Sequence, residues 1–213
     1  MAQWEMPLNM RDIAGSGPVI PELTVSDAAR AADLARALCG GGLRVLEISL
    51  RTPAAAACIE AMRTAVPSAI IGAGALSRAI DFAAADRAGA QFGAAPGLTP
   101  ELAAASRGAR FPLIPAVMTP TEAIAARNAG FTVMKFFPAE HAGGVGVLRA
   151  FGSVFPDLLF CPSGGLTAAT AQEYLALSNV ACVFGSWMVP EAMLGAGDWP
   201  GIEALARAAV SLR

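Results

Sequence analysis

Eight short apolar runs recur along this chain at a nearly even interval, and that rhythm constrains the fold more than any other feature. They occupy residues 18–25, 44–50, 70–73, 91–94, 113–117, 132–136, 159–161 and 180–184, with centres roughly 19 to 26 residues apart. Each has the length of a strand. The stretches between them are rich in alanine with charges at helical spacing, as in 27–40, 53–66, 76–88, 100–107 and 120–129. Thr52-Pro53, Thr99-Pro100 and Thr119-Pro120 each place an N-cap hydroxyl ahead of a proline at the first helical position. Glu122 completes a capping box with Thr119, and Gly40, Gly89, Gly108 and Gly130 mark far ends of helices. Strand and helix alternating eight times predict an α/β chain, a single (β/α)8 TIM barrel over residues 1–213. The first dozen residues read as an additional helix across the bottom of that barrel. An open doubly wound sheet is the rival, weakened because no G-x-G-x-x-G follows the first run. Gly72-Ala73-Gly74 has no third glycine and reads as a tight strand-to-helix turn.

Composition narrows the function classes. Apolar residues make up 55% of 213, and mean hydropathy is +0.53, values that at first suggest a membrane. Alanine accounts for 48 of these residues, so larger apolar side chains are only about a third of the chain. The longest uncharged stretch, 174–190, has 17 residues and is broken by Ser178, Asn179, Gly185 and Ser186. A spanning helix needs about 20 apolar residues. With 15 basic and 17 acidic side chains the net charge is −2, which offers little to nucleic acid or an anionic membrane surface. Residues 1–12 include Glu5, Arg11 and Asp12 and lack the apolar core of a signal peptide, so a cytoplasmic location is expected. Cys39, Cys58, Cys161 and Cys182 form no C-x-x-C pair, and His141 is the single histidine. We therefore expect no metal site, no cofactor, and cysteines that are buried reduced thiols. No G-x-S-x-G motif accompanies His141 to suggest a catalytic triad, and it reads as a surface loop residue.

Among 15 basic residues, 14 are arginine and one is lysine. Lys135 lies inside Phe131-Thr-Val-Met-Lys-Phe-Phe137, where the flanking apolar side chains leave little surface facing water. Burying an ammonium lowers its pKa, by up to ~3–5 units when burial is complete. A neutral amine is a nucleophile, a role arginine cannot take. The commoner alternative is a lysine snorkelling out of an edge strand.

In Arg44-Val-Leu-Glu-Ile-Ser-Leu-Arg51, strand alternation puts Glu47, Ser49 and Arg51 on one face and Leu46, Ile48 and Leu50 on the other. The apolar set would pack outward against helices, sending Glu47 and Arg51 inward toward the C-terminal rim where barrel sites lie. The two could form a buried structural ion pair. The functional alternative makes Glu47 an acid/base and Arg51 the holder of a carboxylate. Val133, Lys135 and Phe137 share the matching parity, so Lys135 and Glu47 can meet. Late in the chain, Cys161-Pro-Ser-Gly-Gly165 and Gly185-Ser186 follow the seventh and eighth runs, the usual place of phosphate loops in barrels.

Taken together, Arg44-Val-Leu-Glu-Ile-Ser-Leu-Arg-Thr52, Gly72-Ala-Gly74, Gly89-Ala-Gln-Phe92, Pro96-Gly97, Lys135-Phe-Phe-Pro-Ala-Glu140 and Cys161-Pro-Ser-Gly-Gly165 resemble the 2-keto-3-deoxy-6-phosphogluconate (KDPG) aldolases. That family also includes 4-hydroxy-2-oxoglutarate (KHG) aldolase activity. The resemblance implies a TIM barrel, a homotrimer, and metal-free class I aldol chemistry in the Entner–Doudoroff pathway. It implies Lys135 as Schiff-base lysine, Glu47 as acid/base and Arg51 as the carboxylate-binding arginine. Gly164, Gly165, Gly185 and Ser186 fall on its phosphate-binding positions, and Pro96 on its site proline. Ala75 stands where the family usually has a carboxylate-binding threonine, Ala95 where a serine is common, and Ser163 in place of a threonine. Glu22 stands where an apolar residue is customary. One lost hydrogen bond to a charged group is worth roughly 1.5–3 kcal/mol, so these departures can weaken the enzyme or shift its substrate. The expected ligand is a small phosphorylated 2-keto acid. The alternatives are 4-hydroxy-2-oxoglutarate, the 2-dehydro-3-deoxy-6-phosphogalactonate epimer, a catalytically impaired binder of sugar-acid phosphates, or a metal-dependent isomerase.

Overall fold

The computed structural model describes residues 8–212, and within them helix and strand alternate as the spacing predicts. The first half comprises α1 (Met10–Ala14), β1 (Val19–Leu23), α2 (Ala28–Gly40), β2 (Val45–Ser49), α3 (Ala55–Ala65), β3 (Ile70–Gly74), α4 (Ala79–Arg87), β4 (Gly93–Ala95) and α5 (Pro100–Arg107). The second half comprises β5 (Leu113–Val117), α6 (Pro120–Asn128), β6 (Val133–Phe136), α7 (Gly144–Val154), β7 (Leu159–Pro162), α8 (Ala168–Leu175), β8 (Val183–Gly185), α9 (Glu191–Ala196) and α10 (Trp199–Val210). The strands pair in parallel in the order β7-β6-β5-β4-β3-β2-β1-β8. A bridge between Phe160 and Val180 brings the two ends together. The Phe160 N–H donates to the Asn179 carbonyl at 2.8 Å, and the Ala181 N–H donates to the Phe160 carbonyl at 3.0 Å. The result is a nearly closed (β/α)8 barrel, and the open doubly wound sheet is set aside.

Alternation along each strand sorts its side chains into two layers. Leu46, Ile48, Ile71, Ala73, Met134 and Phe136 join the core between strands and helices. Ile20, Val45, Ile70, Phe92, Ile114, Val133 and Phe184 form a separate cluster within the ring. Each fully buried aliphatic side chain of this kind contributes roughly 1.5–3 kcal/mol. Met10, Ile13 and Ala14 of α1 belong to the inner cluster, so the N-terminal helix stops the lower mouth of the barrel as expected. Residues 1–7 of the expected helix lie outside the described residues.

Three local expectations need correction. Gly72 and Gly74 lie inside β3, not in a turn. A methyl group at Gly72 would overlap the Phe92 ring, and one at Gly74 would overlap the Glu47 carboxylate. Their role is to leave room, which local sequence cannot distinguish from turn flexibility. Thr52 does not cap α3, which begins at Ala55 with Ala54 at its N-cap. Its hydroxyl instead donates to the Val25 carbonyl at 2.7 Å, tying the loop after β2 to the loop after β1. The last strand starts at Val183, three residues late, because Val180 is engaged in the bridge to β7. Thr99 and Thr119 do cap α5 and α6, the latter with the capping box to Glu122. Among the described residues no helix is long and apolar enough to cross a membrane.

Candidate active site

The C-terminal ends of the strands surround a cavity of about 460 Å³. Its wall includes Glu47, Arg51, Ala75, Pro96, Lys135, Ser163 and Ser186, which brings together seven of the residues singled out in the sequence. Parity explains the convergence. Lys135 and Glu47 each sit two residues beyond an inward-facing valine, Val133 and Val45, on the inner face of their strands.

Lys135 is 5% exposed, so the snorkelling alternative fails. Its Nζ donates to Glu22 Oε1 at 2.6 Å and to Glu47 Oε2 at 2.8 Å. It also lies 4.0 Å from the centre of the Phe184 ring, whose face favours a cation. Burial lowers the pKa of this amine, as the sequence suggests, but Glu22 and then Glu47 outweigh burial. Lys135 is therefore held above the usual lysine range, and the resting group is an ammonium. The expectation of a depressed pKa considered desolvation without the partners. A neutral amine arises here when the proton moves to a neighbouring carboxylate.

The two carboxylates differ. Burial raises the pKa of Glu47; Lys135 opposes this and the charge of Glu22 adds to it, leaving Glu47 at about 7. Burial also pushes Glu22 upward. Lys135, the Ser163 hydroxyl and Arg51 overcome that push, and Glu22 stays below the usual carboxylate range. Ser163, 1% exposed on the loop after β7, donates to both oxygens of Glu22 at 2.9 Å. Neighbouring pKa values driven apart suit one group to carrying a proton and the other to staying charged.

Arg51 lies just past β2 and does not form the ion pair considered from sequence. Its Nε donates to Ser49 Oγ at 2.9 Å and its Nη2 to Thr24 Oγ1 at 3.1 Å. These neutral partners hold the guanidinium at the cavity wall and leave its charge uncompensated by them. Ala75 takes a positive φ of 61°, costly for a residue with a β-carbon, at the mouth of the cavity. Gly164 and Gly165 have φ of 96° and 84°, a turn that suits glycine. Gly164 and Gly165 do not themselves line the cavity, nor does Gly185, which is the last residue of β8 and does not follow it. Gly164 abuts Phe137 and Pro138, Gly165 abuts Glu140, and Gly185 lies against Trp187, while Ser163 and Ser186 form that part of the wall. His141 is exposed in the turn after β6. The four cysteines form no disulfide; Cys58, Cys161 and Cys182 are buried and Cys39 is half-buried.

Sequence reasoning gave no role to Glu22, Thr24 or Phe184. The signal for the first two was present. Ile20 points into the ring, so Glu22 and Thr24 follow on the same face. The room that Gly74 leaves for Glu47 yields a direct expectation. Gly74→Ala lowers kcat by about 10²-fold while thermal unfolding still reports a folded barrel, because the base is displaced by roughly an ångström. Unchanged kcat in a folded G74A variant would show that Glu47 need not sit where it does.

A buried ammonium between two carboxylates, beside a guanidinium held by hydroxyls, is the equipment of a lysine-based carbonyl enzyme. Comparison with known proteins points the same way. The family model described as "Aldolase: KDPG and KHG aldolase" matches residues 10–205. A 2-dehydro-3-deoxy-phosphogluconate aldolase of Pseudoalteromonas atlantica is 44% identical over 204 residues, covering 96% of this chain and 95% of that protein. The KHG/KDPG aldolase of Escherichia coli K12 is 42% identical over 210 residues, covering 99% and 98%. Among solved structures, the KDPG aldolase of Legionella pneumophila holds pyruvate captured at low pH as a covalent carbinolamine intermediate. It superposes with a TM-score of 0.92 at 40% identity, covering 94% of this chain and 98% of that one. With the family model matching residues 10–205 and these relatives covering nearly its full length at 40% identity or more, this chain belongs to the KDPG and KHG aldolase family.

Proposed function

We propose that this protein is a class I aldolase that cleaves 2-dehydro-3-deoxy-6-phosphogluconate to pyruvate and glyceraldehyde 3-phosphate. The observation that carries the reading is the buried Nζ of Lys135, 2.8 Å from a carboxylate whose pKa lies near 7. Lys135 passes one proton to Glu47 and adds through its neutral nitrogen to the C2 carbonyl, and a second proton moves from that nitrogen to the carbonyl oxygen to give a carbinolamine. Glu47 returns its proton to the C2 hydroxyl, directly or through water. The C–O bond breaks, water leaves, and a C=N bond forms with one positive charge. That iminium accepts the electron pair of the C3–C4 bond while the C4 hydroxyl loses its proton to Glu47, releasing the aldehyde. The enamine takes a proton at C3, water adds at C2, and rupture of the C–N bond frees pyruvate and the amine.

In this reading Arg51 binds the substrate carboxylate, with Ala75 and Pro96 shaping the space around it. Ser186, with Gly185 at the end of β8 and the turn at Gly164 and Gly165, receives the distal phosphate, while Ser163 lines the substrate cavity with its hydroxyl on Glu22. Residues 1–213 act as one catalytic domain, in a cytoplasmic homotrimer whose mass light scattering checks. Incubation with pyruvate and borohydride, followed by peptide mass mapping, tests the assignment. The expected result is a stable adduct on Lys135 and faster turnover of the phosphorylated substrate than of 4-hydroxy-2-oxoglutarate. Tight binding of sugar-acid phosphates with no adduct would instead mark a non-catalytic binder.

A further inference from the structure

Glu22 enters the site from β1 and differs from Glu47 in its surroundings. Its side chain is 29% exposed against 5% for Glu47, yet it holds more donors. Oε1 accepts from Lys135 at 2.6 Å and both oxygens accept from the Ser163 hydroxyl at 2.9 Å. Glu47 accepts from Lys135 through Oε2. The strands place the pair side by side, since Glu22 and Glu47 are direct partners in the β1–β2 register. Two adjacent carboxylates repel unless a cation or proton sits between them. Here a cation does, and only one of the two is free of other anchors.

We propose that Glu22 is a second catalytic carboxylate, the fixed counter-anion of the iminium formed on Lys135, which leaves Glu47 to carry the moving proton. This deepens the aldolase reading and rests on it. When water departs from the carbinolamine, carrying the proton Glu47 supplied, a permanent positive charge appears on a nitrogen that already lies against Glu22. A carboxylate anchored by Ser163 need not reorganise to meet that charge. If Glu22 took the proton instead, the charge would lose its partner. The charged groups facing Glu22 are Lys135 from β6, Glu47 from β2 and Arg51 beyond β2. A neighbouring cavity of about 760 Å³, whose wall also includes Glu22, adds Asp27, Arg30 and Glu191. Ser163 and Ser186 complete its surroundings as neutral hydroxyls.

The test measures pyruvate trapping by borohydride against pH and pyruvate concentration in the wild type, Glu22→Gln and Glu22→Asp. In E22Q, the pyruvate concentration for half-maximal trapping rises about tenfold or more, because one charge-assisted contact to the iminium is gone. The acid limb of the profile moves down by about one unit, because Glu47 loses a like-charged neighbour. E22D keeps the charge, draws it back, and falls between. Should E22Q fail to fold, E22D alone decides by the same two readouts. An adduct on wild-type Lys135 with the limb and half-saturation unmoved in the folded variants overturns the proposal and leaves the aldolase reading intact. No adduct on the wild type overturns that reading itself.

Discussion

Lys135→Arg loses at least about 10⁴-fold in kcat/KM, and its borohydride adduct with pyruvate disappears. Arginine is the informative replacement because it keeps the cation that Glu22 and Glu47 require. Removing the charge altogether would leave the buried Glu47 and the partly buried Glu22 facing each other, and breaking a buried pair costs about 3–5 kcal/mol. Lys135→Ala therefore confounds lost chemistry with lost stability, and a lower melting temperature is expected for it. A guanidinium stays protonated at any pH the protein survives, so it cannot attack a ketone. Residual activity within a hundredfold of wild type in K135R would mean that the covalent step lies elsewhere.

The second large effect is at Glu47. Glu47→Gln lowers kcat by about 10²–10⁴-fold, the usual worth of a positioned acid/base. The pH dependence makes this specific. With the Glu47 pKa near 7, the site at low pH holds a protonated Glu47 beside the Lys135 ammonium. Loss of one proton gives a form in which Glu47 is ionised. Transfer of the lysine proton within that form yields the reactive pair, neutral amine and protonated Glu47. Activity of the free enzyme therefore rises as pH passes upward through about 7 and falls away below it. In E47Q that limb vanishes from the kcat/KM profile. A limb still present near 7 in the variant would assign the titration to another group.

Much of this was legible from local pattern. The parity of residues 44–51 sent Glu47 inward, and the parity of 131–137 sent Lys135 to meet it, because a strand repeats every two residues whatever surrounds it. Partners across the ring were not legible. Glu22 lies 113 residues from Lys135 and 141 from Ser163, and only closure of the barrel makes them neighbours. The protonation of Lys135 was misread for the same reason, since apolar flanks report desolvation but say nothing of carboxylates arriving from β1 and β2. Gly72 and Gly74 read as a turn in the sequence because what they make room for, Glu47 of β2 and Phe92 just before β4, comes from elsewhere in the chain.

The stopper that α1 forms at the lower mouth separates two jobs within one ring. Below lie Met10, Ile13, Ile20, Val45 and Phe92, a buried apolar footing without an ionisable group. Above lie Glu22, Glu47, Ala75 and Lys135, which line the cavity. A substitution in the upper storey can thus reshape the space for a different keto acid while the footing beneath keeps its packing.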